Sequence, residues 1–293
     1  EFFQAAFGVW VYIPFLYSIL AIKPFLRAEK QARIVVSALL FASLAGVWWD
    51  FFIPFPWTGF IYELGHSLIE ASRGWTTFGI DRCAGFSRAS FSASNLILFF
   101  SIYLACTLKN KFIIVIMWIA SGLGLLVTTH KTAIIIFFVL SILIPLLVYF
   151  PRTRMIEYCY KVIPGLSAIV GICLPFLGGI ISVNPTLYAE EVFFSSIKMR
   201  LSSTWPDAIS LITKNGNLFL GRGLGGIGAP QLYFQPAYYN PADNMYLSIY
   251  ASFGIGMFVF VGAWVWGLAK LWPEGRRHDR LFWLFGLSIL TSG

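Results

Sequence analysis

Two arginines and an aspartate supply the first chemistry in this chain. Arg200, Arg222 and Asp243 fall in one polar stretch, RLSSTWPDAISLITKNGNLFLGRGLGGIGAPQLYFQPAYYNPADNMY, set between two apolar segments. A guanidinium presents a planar fork of donors that fits carboxylate or phosphate oxygens in pairs. A carboxylate at the edge of the same site can orient a hydroxyl and take its proton. Together they suit the transfer of a group onto a hydroxyl with departure of an anion. Each residue also has a plain structural use. Arg200 can pair with Asp207, and Asp243, with Asn244 as the alternative, can cap the helix that follows. Capping and catalysis are compatible.

The stretch GRGLGGIGAP matches G-x-G-x-x-G at Gly221, Gly223 and Gly226. A dinucleotide site needs a strand before this motif, a helix after it and a βαβ unit around it, and the flanking segments offer none. What is left is a tight segment that lets backbone N–H groups and Arg222 approach a phosphate closely.

A second arginine cluster, Arg73, Arg82 and Arg88, lies upstream with Asp81 and Gly74, Gly79 and Gly85. Arg73 suits contact with lipid headgroups, whereas Arg82 and Arg88 lead into the next apolar segment and reach either a cavity or the headgroups. Before them, Phe60, Ile61, Leu64 and Leu68 recur at helical spacing opposite Glu63, His66 and Glu70. This predicts a short interfacial helix whose acidic and histidine face is either solvated or able to supply a base. His130 and Lys131 interrupt a long apolar run, where they either mark the water interface or line a cavity.

The elements that must hold these residues are membrane spans. With 58% hydrophobic and 12% charged residues, the chain cannot cover a core of its size with polar surface. Apolar windows long enough to cross the bilayer run over Phe2–Ile22, Ile34–Ile53, Ser90–Leu108, Phe112–Val127, Thr132–Phe150, Val162–Val183, Asn244–Ala269 and from Leu281 onward. Phe2–Ile22 lacks the basic start and small-residue cleavage site of a signal peptide. The chain opens inside an apolar run without Met and stops 13 residues into another, so it reads as a portion of a longer protein.

Sidedness follows from the basic residues. Lys23–Arg33, Lys109–Lys111, Pro151–Lys161 and Lys270–Arg280 hold 13 Lys and Arg in 36 positions, while the other 8 are scattered widely. The positive-inside rule places the dense group in the cytoplasm and residues 54–89 and 184–243 outside, with Thr128–Lys131 at the outer edge. The net charge of +8 is therefore mostly a topology signal, and no basic soluble module points to nucleic acid. Cys83 is the one thiol expected outside, and no spacing suggests a disulfide framework or a zinc site. Residues 1–293 read as a single transmembrane domain of about eight helices, the last incomplete, whose two outer loops form the active-site region.

Three motifs in order, Arg-Leu-x-x-x-Trp-x-x-Ala-Ile from Arg200, Gly-Arg-Gly-Leu-Gly from Gly221 and Asp-Asn-x-Tyr-Leu from Asp243, then Phe-Gly-Ile-Gly, resemble the signature region of the O-antigen ligase and polymerase superfamily. The segment Asp81-Arg-Cys-Ala-Gly-Phe-Ser-Arg-Ala-Ser is similar to that superfamily's other outer arginine segment. The resemblance implies an all-α polytopic membrane protein with a multi-helix GT-C-like bundle. It implies a metal-independent glycosyltransferase of the bacterial inner membrane, without cofactor and with its active site facing the periplasm. Its substrate would be an undecaprenyl-pyrophosphate-linked oligosaccharide. A chain-length-regulating co-polymerase is an expected partner, beside membrane lipid.

On that resemblance Arg200 and Arg82 correspond to pyrophosphate-binding arginines, with Arg88 and Arg222 as weaker matches. Asp243 becomes the base, and His130, Lys131, Trp205 and Tyr246 become cavity residues. Trp57, Trp75, Tyr233, Tyr238 and Tyr239 offer further flat faces for sugar rings. Ligases of the superfamily commonly carry histidine where Asp243 stands, which favours a polymerase of the Wzy type. A ligase acting on lipid A-core and a SEDS-type polymerase are the enzymatic alternatives. A lipid-linked oligosaccharide flippase is the non-enzymatic one, although it would place its charges deep within helices rather than in outer loops.

Overall fold

The computed structural model describes residues 29–64, 67–70, 76–77, 80–149, 154–177, 195–228, 230–231, 235–270 and 277–292. The expected first span, Phe2–Ile22, lies outside them, as do His66, Arg73, Trp75 and Tyr233.

Long helices dominate: α1 (Glu29–Phe52), α2 (Ser90–Thr107), α3 (Lys111–Thr128), α4 (Lys131–Tyr149) and α5 (Arg154–Leu177). Then come α6 (Ser195–Met199), a π-helical turn (Arg200–Thr204), α7 (Trp205–Asn215), a 3-10 turn (Pro236–Tyr238), α8 (Met245–Phe253), α9 (Gly256–Lys270) and α10 (Arg277–Ser292). The stretches Glu29–Phe52, Ser90–Thr107, Lys111–Thr128 and Glu157–Leu177 are long and apolar enough to cross a membrane, and Lys131–Pro145 and Gly256–Lys270 are shorter apolar helices. Large side chains on these helices stand open, with Phe41 at 75%, Phe112 at 72% and Val259 at 76% exposure. Side chains of that kind need a hydrocarbon solvent. The protein is a helical membrane protein.

Two segments fold differently from the periodicity. Residues expected as an interfacial helix form an antiparallel hairpin instead, β1 (Ile61–Leu64) against β2 (Ser67–Glu70). A smaller one follows, β3 (Thr76–Thr77) with β4 (Ile80–Asp81). A two-stranded ladder satisfies backbone groups locally with few residues, and so short an apolar run does not fix its own period. The expected span Asn244–Ala269 is broken at Gly254, whose φ is +57°, into α8 and α9.

Packing centres on α2, which touches α1, α3, α4 and α10, while α10 also meets α4, α5 and α9. Ile97, Leu98, Ile102 and Leu104 of α2 pack with Leu125, Leu140, Trp283, Leu284 and Leu287 in one buried cluster. A second cluster joins Trp205, Ala208 and Ile212 of α7 to Ile227, Ala242, Leu247 and Ala251. This second cluster seats α7 against the end of the bundle. Pro206 lies in the first turn of α7, where a missing N–H costs nothing, so the helical path continues through it.

A cationic cavity at one end of the bundle

Each site residue is held by a local device. Arg82 stands on the loop between β4 and α2, and Asp50 near the end of α1 fixes that loop: its Oδ2 accepts the N–H groups of Ala84 at 2.8 Å and Gly85 at 3.0 Å. Gly85, at φ +58°, presses on α1 so closely that an added Cβ would sit 2.7 Å from the Val47 nitrogen. Only glycine meets both demands. Asp50→Ala leaves the half-buried N–H groups of Ala84 and Gly85, and that of Phe55 at 3.4 Å from Oδ1, without this acceptor, and should cost about 1–3 kcal/mol. A lower thermal midpoint in detergent for Asp50→Ala, with Asp50→Asn near wild type, is the expected result.

His130 and Lys131 form the α3–α4 turn, entered through Thr129 at φ 52°. Arg200 opens the π-helical turn, a widened element that often marks functional sites. Asn240 ties this turn to the loop carrying Asp243: its Nδ2 donates to the carbonyl of Thr204 at 2.9 Å, and its Oδ1 accepts the N–H of Ala242 at 2.7 Å. The buried Gln231 amide in turn accepts the N–H of Asn240 at 3.0 Å and donates to the Tyr238 carbonyl at 2.8 Å.

This scaffold corrects the reading of Asp243. Asn244 is the helix cap, its Oδ1 accepting the N–H of Leu247 at 2.9 Å. Asp243 stands one residue earlier at φ 48°, after Ala242 at φ 58°. Left-handed backbone at a non-glycine residue costs on the order of 1–3 kcal/mol and collects at functional sites. Capping no longer accounts for the aspartate. The partner of Arg200 is corrected too: its Nε meets Asp243 Oδ2 at 3.3 Å, and Asp207 is exposed.

These residues share a cavity of about 670 Å³. Arg82, His130, Lys131, Arg200, Trp205, Asp243 and Asn244 line its polar part, and Thr132, Ile135, Leu166, Ser167, Val170, Gly171, Leu174, Ile197, Leu290 and Thr291 complete it. Burial and then the Arg200 charge lower the pKa of the Arg82 guanidinium. Burial, followed by Arg82 and Arg200, holds the His130 imidazole down at about 4. A positive field of this kind is relieved by an anion. The Trp205 indole Nε1–H is buried and meets no acceptor among the described residues.

A second, narrower cleft of about 180 Å³ lies beside the first along the seam of α4 and α10. It is lined by Thr132, Ile135, Ile136, Val139, Leu140, Leu287, Ser288 and Thr291. Thr132, Ile135 and Thr291 belong to both spaces, so an apolar groove adjoins the charged cavity. From Thr132 to Leu140 the groove follows α4 for about 12 Å.

Three residues expected at the site stand elsewhere. Arg222 is spent on its own loop and on α7, donating to the Gly226 carbonyl at 2.8 Å, the Leu211 carbonyl of α7 at 3.1 Å and Gln235 Oε1 at 2.9 Å. Arg88 is exposed and does not line the cavity. Tyr246 is core: its hydroxyl donates to the Leu290 carbonyl at 2.7 Å, and its ring lies on Gly171, where a side chain would collide. Gly171 thereby lets α5 approach the start of α8, and its carbonyl accepts from Asn244 Nδ2 at 3.2 Å. Asp50, Ser94 and Asn240 were not singled out in the sequence. A lone carboxylate at the end of an apolar run is the signal that would have found Asp50.

Fold and site together define a helical membrane protein with a cationic cavity beside an apolar groove. Compared with family models, with characterised proteins and with solved structures, the chain matches none.

Proposed function

We propose that the protein is a membrane glycosyltransferase that polymerises a glycan carried on a polyprenyl pyrophosphate such as undecaprenyl pyrophosphate. One observation carries this reading: a cavity holding Arg82, Lys131, Arg200 and Asp243 adjoins an apolar groove between α4 and α10, with Thr132, Ile135 and Thr291 lining both. An anionic head joined to a linear hydrocarbon tail has that shape and charge. Arg82 and Arg200 bind the pyrophosphate and stabilise the charge that grows on it as the anomeric carbon–oxygen bond breaks. Asp243 takes the proton of the acceptor hydroxyl as the new glycosidic bond forms.

A ligase would use the same donor with another acceptor; the aspartate at 243 favours the polymerase. A flippase is the reading without chemistry, and the gathering of charge at one end of the bundle disfavours it. The experiment is photocrosslinking with a polyprenyl pyrophosphate carrying a diazirine in its first isoprene units. Label on Ile136, Val139 or Leu287, competed by unlabelled lipid pyrophosphate and not by the polyprenyl alcohol, is expected. Label spread over the outer faces of α1 and α9 would contradict the binding mode.

The same reading puts the cavity on the outer side of the membrane. In a protein with Cys106, Cys159 and Cys173 replaced by serine, Leu220→Cys should react with an impermeant thiol reagent in spheroplasts and Lys109→Cys should not. Native Cys83 does not interfere, being buried with its thiol pushed up to about 11. The reverse labelling pattern would invert the chain.

A further inference from the structure

His130 carries a feature that the proposed reaction does not use. Ser94 Oγ lies 2.8 Å from His130 Nδ1 and donates to the Phe91 carbonyl at 2.9 Å. A hydroxyl has one proton to give. With that proton on Phe91, Ser94 must accept from Nδ1–H, and the neutral ring keeps its lone pair at Nε2. The charged groups sharing the cavity with this ring are Arg82 after β4, Lys131 at the start of α4, Arg200 in the π-helical turn and Asp243 before α8; the other lining residues, on α5, α6 and α10 included, carry no charge.

We propose that His130 is a proton-linked ligand for the pyrophosphate, taking a solvent proton onto Nε2 as the anion seats and donating that N–H to a phosphate oxygen. The inference rests on the cavity being the pyrophosphate site. Its chemistry is a matter of donors and acceptors. The ionised oxygens of a pyrophosphate diester only accept, so a lone pair at Nε2 has nothing to share with them. Protonation turns that mismatch into a charge-assisted hydrogen bond.

Electrostatics run the same way. Burial and the Arg82 and Arg200 charges hold the imidazole at about 4, so the free protein keeps it neutral at pH 7. A bound dianion offsets those two charges and raises the affinity for the proton. Ser94 holds the ring in either state, because Nδ1–H is the donor in both.

The sign follows by linkage. A group whose pKa rises on binding takes up a proton, and binding weakens as pH climbs through the interval between its free and bound pKa values. The probe is a farnesyl methyl diester of pyrophosphate, which does not itself titrate between pH 5 and 8. Calorimetry on the full chain in detergent, at pH 5.5 in two buffers of unlike ionisation enthalpy, should show uptake of about one proton per ligand. Affinity should then fall by up to about tenfold per pH unit above that.

His130→Gln should still bind the diester, more weakly, with no uptake and no pH dependence over this range. In wild-type protein the ring-nitrogen chemical shifts of His130, assigned with His66→Gln and His278→Gln, should move from the neutral to the imidazolium position on adding the diester at pH 5.5. Uptake that persists in His130→Gln, or a His130 signal that stays neutral in the complex, would overturn the proposal. Binding that is absent, or indifferent to Arg82→Ala and Arg200→Ala, would instead overturn the pyrophosphate site and this inference with it.

Discussion

Arg200→Lys is expected to abolish polymer formation nearly as completely as Arg200→Ala. Lysine keeps the charge and loses the planar fork, and the geometry at this site depends on the fork. In the structure Nε of Arg200 faces Asp243 Oδ2 at 3.3 Å, and in the proposed reaction the two terminal nitrogens of the same plane would meet the pyrophosphate. An ammonium is a point charge that can satisfy one of these demands at a time. Loss of a fixed donor to developing negative charge costs about 10²- to 10³-fold in rate. Stability should hardly change, since an ion pair this open contributes about 0.2–1 kcal/mol. Chain-length distributions at matched membrane expression check the result; wild-type polymer from Arg200→Ala would remove the arginine from the mechanism.

Asp243→Asn should be as damaging to activity and as mild to the fold. The structure makes this substitution cleaner than the sequence promised. Because Asn244 provides the cap, Asp243 has no backbone N–H to satisfy at the start of α8. Its left-handed φ of 48° is one that asparagine adopts more readily than most residues. The substitution therefore removes the proton-accepting carboxylate together with the charge of the open Arg200 pair, a pair that contributes about 0.2–1 kcal/mol to the fold. A lost general base typically costs about 10²- to 10⁴-fold in rate. Long polymer should disappear while single repeat units collect on the lipid carrier, and wild-type rate and length would exclude Asp243 as the base.

Much of the scaffold was legible because membrane helices advertise themselves by composition. Ser90–Leu108 and Phe112–Val127 were placed within a residue or so of α2 and α3. The reason is that the bilayer imposes one length and one polarity on every span. The failures came where that constraint lapses. The strands at Ile61–Leu64 and Ser67–Glu70 look helical in sequence because Phe60, Ile61, Leu64 and Leu68 also fit one helical face. Asn244 rather than Asp243 became the cap since both residues suit the role and only φ separates them.

Which charges would meet was beyond sequence reasoning for a different cause. Arg82, His130, Arg200 and Asp243 are distant in the chain, and hydrogen bonds accepted by Asp50 hold the Arg82 loop while those of Asn240 join the Arg200 turn to the Asp243 loop. Nothing in local spacing reports a clamp of that kind. Arg222 shows the converse: glycines on either side made it resemble an anion site, yet the tight turn they allow brings backbone carbonyls onto the guanidinium.

The central claim, glycan transfer from a polyprenyl pyrophosphate, is tested most directly by the mass of the lipid-linked glycans in cells lacking the gene and complemented with wild type or Asp243→Asn. The account predicts single repeat units on polyprenyl pyrophosphate in the deletion strain, their conversion to a polymer ladder by wild type, and no conversion by the variant. A ladder of full length in the deletion strain, or one restored equally by Asp243→Asn, would contradict it.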